Sequence, residues 1–264
     1  MSHVLTPRPA STVLALRDGV LGYQVLMLRR NLNSDFVGGA YVFPGGGVDA
    51  SDSDENIQRL TFGADELETS KRLGVLSGGL AYYVACLREL FEEAGLLIAC
   101  RDGGESVDLS DAHTVQRLAA LRRQLNAGEL GFAGVLARED LVLDLRGLAY
   151  LAHWVTPVGP PRRYDTRFFV VLAPSDQTAA HDAGETIEDQ WLRPVDALSS
   201  FQRGDFEMIL PTVRTLQSIA NLESAHDVLD YANSLDGVAR IEPRIVMRGD
   251  RPQILMPGDE GYDG

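Results

Sequence analysis

The stretch Arg88-Glu89-Leu90-Phe91-Glu92-Glu93-Ala94-Gly95-Leu96 closes the most strongly periodic segment of the sequence. Across residues 80–95, Leu80, Val84, Leu87, Phe91 and Ala94 recur at helical spacing and form one apolar stripe. Gly95 is the natural stop, because glycine takes the left-handed backbone after a last helical turn without a Cβ penalty. At about 100° per residue, Glu89, Glu92 and Glu93 fall within one third of the circumference, opposite the stripe. Like charges three and four residues apart destabilise a helix by a few tenths of a kcal/mol per pair. Arg88 can pair with Glu92, but one arginine does not neutralise three carboxylates. A hard divalent cation would, since Mg²⁺ and Mn²⁺ prefer oxygen ligands. Taken alone, the same arc also reads as a solvated acidic face.

Upstream lie two apolar, β-prone runs, 11–16 and 24–28, joined by a turn at Asp18-Gly19. A glycine cluster follows, Val37-Gly38-Gly39 and Phe43-Pro44-Gly45-Gly46-Gly47. Residues 50–79 are acidic and polar, with weak helical periodicity near 54–72 and a stop at Gly78-Gly79. They read as an inserted, partly helical surface segment. Downstream, 96–99 reads as a strand and 111–126 as an amphipathic helix. Residues 148–156, 166–173 and 186–192 read as further strands, the last after a polar loop at 174–184. From Pro194 the pattern is helical over 194–202, 206–221 and 223–234, and a Gly- and Pro-bearing tail ends the chain. Strands and helices in this order predict an α+β fold, an α/β/α sandwich with a mixed sheet and a C-terminal helical extension.

The 264 residues carry 38 acids against 24 bases, a net charge of −14. Such a chain repels a nucleic-acid backbone, so no nucleic-acid partner is expected. Lys71 is the only lysine, in a polar stretch, which sets aside Schiff-base chemistry. No run of 18 apolar residues predicts a membrane span, and the N-terminus lacks the pattern of a secretory signal. Cys86 and Cys100 form no CxxC pattern, so neither a disulfide framework nor a zinc site is indicated. A reducing, cytoplasmic setting is the expectation. The five histidines show no ligand spacing. His153 reads as a core or edge histidine, and Cys86 as an inert buried thiol.

The stretch 88–96 resembles the second half of the Nudix box, REUxEExGU, with every fixed position filled, and Phe43-Pro44-Gly45-Gly46 resembles its FPGG start. In the usual box a glutamate stands eight residues before the arginine. Here that position is Leu80, and the spacing is opened by 50–79. An interrupted box is similar to that of one branch, the peroxisomal coenzyme A diphosphatase of Nudix-type motif 19. Trp154-Val155-Thr156-Pro157, residues 161–169, residues 184–191 and Pro211-Thr212 also fit that branch. The resemblance implies a Nudix hydrolase domain over 10–200, with a helical extension at 201–240 and an irregular tail at 241–264.

By this resemblance Glu89, Glu92 and Glu93, with the carbonyl of Gly45, would hold Mg²⁺ or Mn²⁺. Glu185 would be a further ligand or the general base, a role for which Glu89 is the other candidate and Glu188 a neighbour. Arg88 would orient the glutamates by charge-assisted hydrogen bonds. The chemistry suits these residue types. A diphosphate repels an attacking water, and bound metal ions neutralise that charge and lower the pKa of the water. Glycines 45–47 allow close backbone approach, Gly46 toward substrate. Arg30, Arg162, Arg163 and Arg167 are candidates for the diphosphate or a 3′-phosphate, and Tyr164 for stacking on a base, whereas Phe168 reads as core.

The implied reaction is metal-dependent hydrolysis of a small-molecule diphosphate, with coenzyme A or an acyl derivative as leading substrate and 3′,5′-ADP and a phosphopantetheine as products. A coenzyme A signature expects an arginine, a second five residues later, then a glycine; Arg30 and Gly39 fit, whereas Asp35 holds the middle position. ADP-ribose, NADH, a nucleotide sugar or a dinucleotide therefore stay open, as does a non-catalytic ligand-binding protein, whereas the net charge of −14 disfavours an RNA-processing enzyme. The tail Gly261-Tyr262-Asp263-Gly264 is no peroxisomal address, which with the Arg-rich composition suggests a bacterial cytoplasmic protein, with a homodimer open. Residues 50–79 are expected to border the substrate pocket.

Overall fold

The computed structural model describes residues 5–32, 38–182, 184–249 and 251–262. Val37, Asp35 and the last two residues, on which parts of the reading above rest, lie outside the described residues. In chain order come β1 (Arg8–Arg17), β2 (Gln24–Arg30), β3 (Tyr41–Val42) and β4 (Gly45–Gly47). A 3₁₀ turn (Ala50–Ser53), α1 (Glu55–Gln58), β5 (Thr61–Phe62) and α2 (Glu66–Leu73) precede α3 (Gly79–Ala94). Next are β6 (Ala99–Cys100), α4 (Ala112–Asn126), α5 (Phe132–Glu139) and β7 (Val142–Asp144). Then follow β8 (Ala149–Val155), β9 (Tyr164–Leu172), β10 (Thr186–Leu192), α6 (Pro194–Arg203), α7 (Leu210–Ile219) and α8 (Ala225–Ser234). The chain closes with β11 (Arg240–Ile241), β12 (Arg244–Arg248) and β13 (Arg251–Leu255).

The main sheet runs β10-β2-β1-β9-β8-β11, with β3 on β2 and β4 on β1. It is mixed: β1 and β9 pair in parallel along their length, β11 is parallel to β8, and the other pairs are antiparallel. Alternation along β1 divides the core. Val13 and Ala15 face the cluster that holds Val84, Leu87 and Phe91 of α3. Leu14 and Leu16 face the cluster built with Val213, Leu216, Ile219 and Val228. The result is the expected α/β/α sandwich, with α3 on one face and α7 and α8 on the other.

Three expectations are corrected. Residues 201–240, read as an extension, supply the apolar layer that covers one face of the sheet. The tail is not irregular, because β11 extends the sheet and β12 and β13 form an antiparallel ribbon. The strand expected at 96–99 is reduced to Ala99–Cys100 in a small separate sheet with β5 and β7. Gln177 is the reason: its side-chain amide accepts from Leu97 N at 2.8 Å and donates to Leu97 O at 2.9 Å, satisfying that backbone as a strand would.

The insert 50–79 is also more than a surface loop. Ile57, Thr69, Ser70 and Leu73 are buried, and α2 packs against the start of α3. Glu66 of α2 accepts hydrogen bonds from Gly78 N (2.5 Å) and Leu80 N (3.0 Å). It thereby serves the exposed N–H groups at the start of α3, whose own preceding residue, Gly78, has no side chain to offer.

Candidate active site

α3 is buried on nearly every side, because one face meets the sheet and another meets α2 and α4. Its last two turns carry the carboxylates. Glu93 is buried and accepts a hydrogen bond from Gly45 N at 2.9 Å. Glu89 lies against β4: a Cβ built on Gly46 would stand 2.3 Å from Glu89 Oε1. A Cβ on Gly45 would meet Ser11 O at 2.5 Å. A side chain at Gly45 would collide with the β1 backbone, and one at Gly46 would displace the Glu89 carboxylate.

Arg88 is buried and organises the group. Its Nη1 donates to Glu89 Oε1 (2.8 Å) and Glu92 Oε2 (2.9 Å), and its Nη2 to Gly47 O (2.9 Å). Its Nε and Nη2 donate to the two oxygens of Asp52 at 2.8 and 3.0 Å. Asp52 is 1% exposed. This residue escaped the sequence reading. Leu80 stands eight residues before Arg88, and the carboxylate that pairs with Arg88 comes instead from Asp52, at the start of the insert. The one available signal was the short acidic run 49–54 directly after the glycines.

One guanidinium thus serves Asp52, Glu89 and Glu92, and the excess negative charge shows in the acidities. Burial, reinforced by Glu92 and Glu185, pushes Glu89 up to about 7 against the pull of Arg88. Burial and then the charge of Glu89 raise Glu93 well above the usual carboxylate range, and the Gly45 N–H offsets part of this. Burial also raises Glu92. Among the described residues no three carboxylates, imidazoles or thiols close on one point as a preformed ligand set. The donor chemistry nevertheless fits a hard divalent cation. Arg88 takes one oxygen of Glu89 and one of Glu92, and a carboxylate offers two.

On the other side of β4 lies a cavity of about 730 Å³. Gly45, Gly46, Gly47, Ala10, Thr12, Thr166 and Phe168 form its floor, and Arg30, Arg162, Tyr164 and Glu185 are in its walls. Glu89, Glu92 and Glu93 are not; they approach it at the glycine strand. Phe168, expected in the core, is buried there and also reaches the floor. Residues 50–79 contribute nothing to the wall, contrary to expectation, because the insert is committed to α3 and Arg88. Glu188 faces elsewhere, accepting from the Tyr41 hydroxyl at 2.9 Å.

Two proposed substrate arginines are corrected. Arg163 is buried, donates to Thr156 O, Pro157 O and Leu5 O, and is ion-paired with Glu242. Arg167 is buried beside His153 and is ion-paired with the half-buried Asp165. Neither lines the cavity. The alternation of β9 sends Arg167 to the opposite face from Thr166 and Phe168. Cys86 is fully buried and its thiol is pushed up by burial, consistent with an inert core residue.

A second residue unseen in the sequence is Arg122 of α4. Its Nε donates to Glu92 O at 2.9 Å and its Nη1 to Ala180 O at 2.8 Å, while Ala180 N donates to Ala94 O. The end of α3 is thereby tied to the loop that leads to Glu185.

The family model of the NUDT19 Nudix domain matches residues 54–219. The human acyl-coenzyme A diphosphatase NUDT19 is 27% identical over 273 residues, covering 91% of this chain and 72% of that protein. The Gallus gallus protein of the same name is 28% identical over 285 residues, covering 92% and 74%. Among solved structures, a NUDIX hydrolase from Alicyclobacillus acidocaldarius superposes with a TM-score of 0.67 at 25% identity, covering 85% of this chain and 96% of that one.

Proposed function

Since the chain belongs to the NUDT19 Nudix domain family and is a Nudix diphosphate hydrolase, we propose that its substrate is coenzyme A or an acyl-coenzyme A, hydrolysed to 3′,5′-ADP and the corresponding phosphopantetheine. The observation that carries this reading is the glycine strand β4. It separates the Arg88-held carboxylates from a cavity of about 730 Å³, a size suited to a small-molecule substrate. The names of the similar proteins, acyl-coenzyme A diphosphatases, support the substrate class.

In this reading Glu89, Glu92 and Glu93, with the Gly45 carbonyl and Glu185, hold Mg²⁺ or Mn²⁺. A divalent metal held there would neutralise charge on the diphosphate and lower the pKa of a water. Arg88 keeps Glu89 and Glu92 oriented, and Gly46 leaves room for the Glu89 carboxylate. Glu89 and Glu185, the latter at the cavity wall, are the candidates to take a proton from water. Arg30 and Arg162, which line the cavity, would meet phosphate oxygens in this reading. Water adds across one P–O–P bond, so each product leaves as a phosphomonoester.

The test is phosphatase-coupled hydrolysis of a diphosphate panel with either metal: coenzyme A, acetyl-coenzyme A, ADP-ribose, NADH, a nucleotide sugar and diadenosine polyphosphate. The expected result is metal-dependent turnover with preference for the coenzyme A members. Preference for ADP-ribose or NADH would overturn the substrate assignment while keeping the chemistry.

A further inference from the structure

The cavity spans the end of the main sheet. Glu185 and Arg30 stand where β10 meets β2, while Trp154, Pro243 and Ile254 stand where β8 meets the tail. The sheet order puts three strand intervals between β2 and β8, about 14 Å at the usual strand spacing. One end of the pocket is charged. The other is lined chiefly by Val155, Pro157, Pro160, Pro243 and Ile254, with Arg162 and Thr156 of the same loop beside them.

The β12–β13 ribbon has two unlike faces. Cross-strand partners share a face, so Ile245 with Ile254 and Met247 with Pro252 form one side. Arg244 with Leu255, Val246 with Gln253 and Arg248 with Arg251 form the other. The arginine side is covered at its base: Arg244 stacks on Tyr262 and bonds its carbonyl, and Leu255 is buried. The apolar side is open, with Ile245, Met247 and Ile254 at 43%, 63% and 52% exposure. It is continuous with the pocket, because Ile254 is part of the cavity wall and Ile245 lies beside Gly159 of the loop that carries Pro157 and Pro160. Arg163 fixes that loop and the tail together through Thr156 O, Pro157 O and Glu242.

We propose that the open apolar face of the β12–β13 ribbon is the subsite for an acyl chain carried by the non-nucleotide arm of the substrate. The inference rests on the coenzyme A reading and extends it to a selectivity for acylated over free coenzyme A that this ribbon creates. An acyl chain is the occupant because the face continues the catalytic cavity, beginning inside its wall at Ile254 and running outward to Met247.

The experiment compares kcat/KM for free, hexanoyl- and decanoyl-coenzyme A in the wild type and in Ile254→Asp and Ile245→Asp. The wild type is expected to favour decanoyl over free coenzyme A by about tenfold or more, rising with chain length. Each substitution should bring that ratio to within about threefold. No chain-length dependence in the wild type, or variants that lower all three substrates in step, would overturn the inference. So would vesicle binding or a dimer that Ile254→Asp abolishes while the ratio stays unchanged, because the face then serves a lipid surface or a second copy. If the wild type turns over no coenzyme A at all, the underlying reading fails. The ribbon is then judged by the Kd of alkyl esters of ADP: tightening with chain length in the wild type but not in Ile254→Asp supports it, and a flat series refutes it.

Discussion

Arg88 grips Asp52 with two parallel hydrogen bonds, and both partners are buried although nearly all of the insert separates them in sequence. Removing one partner of a buried pair leaves the other uncompensated, at about 3–5 kcal/mol. Arg88 keeps Glu89 and Glu92, so Asp52→Ala is expected at the lower end, about 3 kcal/mol in urea unfolding. Metal affinity should weaken about 10–100-fold, since a residue that orients ligands has lost its anchor. Unchanged stability and metal dependence would show that the pair is dispensable.

Gly46→Ala places a methyl group where the Glu89 carboxylate now stands. The expected outcome is a fall in kcat of about 100-fold or more with a cooperative fold, because overpacking costs about 1–3 kcal/mol. Thermal unfolding and steady-state kinetics on one preparation separate the two effects.

Glu89 is raised from its ordinary value of 4.5 to about 7, chiefly by burial. A raised carboxyl favours the protonated fold, so its contribution to metal-free stability is present below pH 4.5 and is lost as pH rises toward 7. Metal binding needs the carboxylate and must displace that proton. Calorimetric titration of Mg²⁺ in two buffers of different ionisation enthalpy should therefore show proton release that grows as pH falls below about 7. Identical heats in both buffers would contradict the shift.

Arg122→Ala should loosen the link between α3 and the loop before Glu185. The expected result is a kcat loss of about tenfold with little change in KM, and a displaced pH profile. Arg122→Lys keeps the charge but cannot span both carbonyls, so it should restore little. A KM effect alone would argue for substrate contact instead.

Arg163→Ala should lower the melting temperature, since four partners lose their donor. Arg162→Ala, at the cavity wall, should raise KM instead. The reverse pattern would restore Arg163 as a substrate ligand.

Much of this was legible because it is local. The stripe from Leu80 to Ala94 and the arc of Glu89, Glu92 and Glu93 lie on one helix, where spacing translates directly into faces. Asp52 was illegible, because its partner is distant in sequence and the insert hides the spacing. Arg163 and Arg167 could not be told from Arg162 by residue type; strand direction and the loop before β9 decide where each points. The ribbon is not legible in the sequence because Arg244 to Arg248 and Arg251 to Leu255 alternate only weakly in hydropathy. The layer formed by α7 and α8 was seen as helices, but nothing in their periodicity names the surface they cover.

The parallel pairing of β1 with β9 has a consequence for how the molecule comes to exist. β4 is held by β1, and the far edge of β1 is completed only by β9, from the second half of the chain. Such a distant pairing must close a long loop before it is rewarded, which slows folding. A nascent chain that has emerged only as far as α3 therefore carries all three glutamates but lacks the strand that completes their platform. Assembly of the reaction centre is a late event, and destabilising β9 should delay the appearance of activity more than the appearance of helical structure.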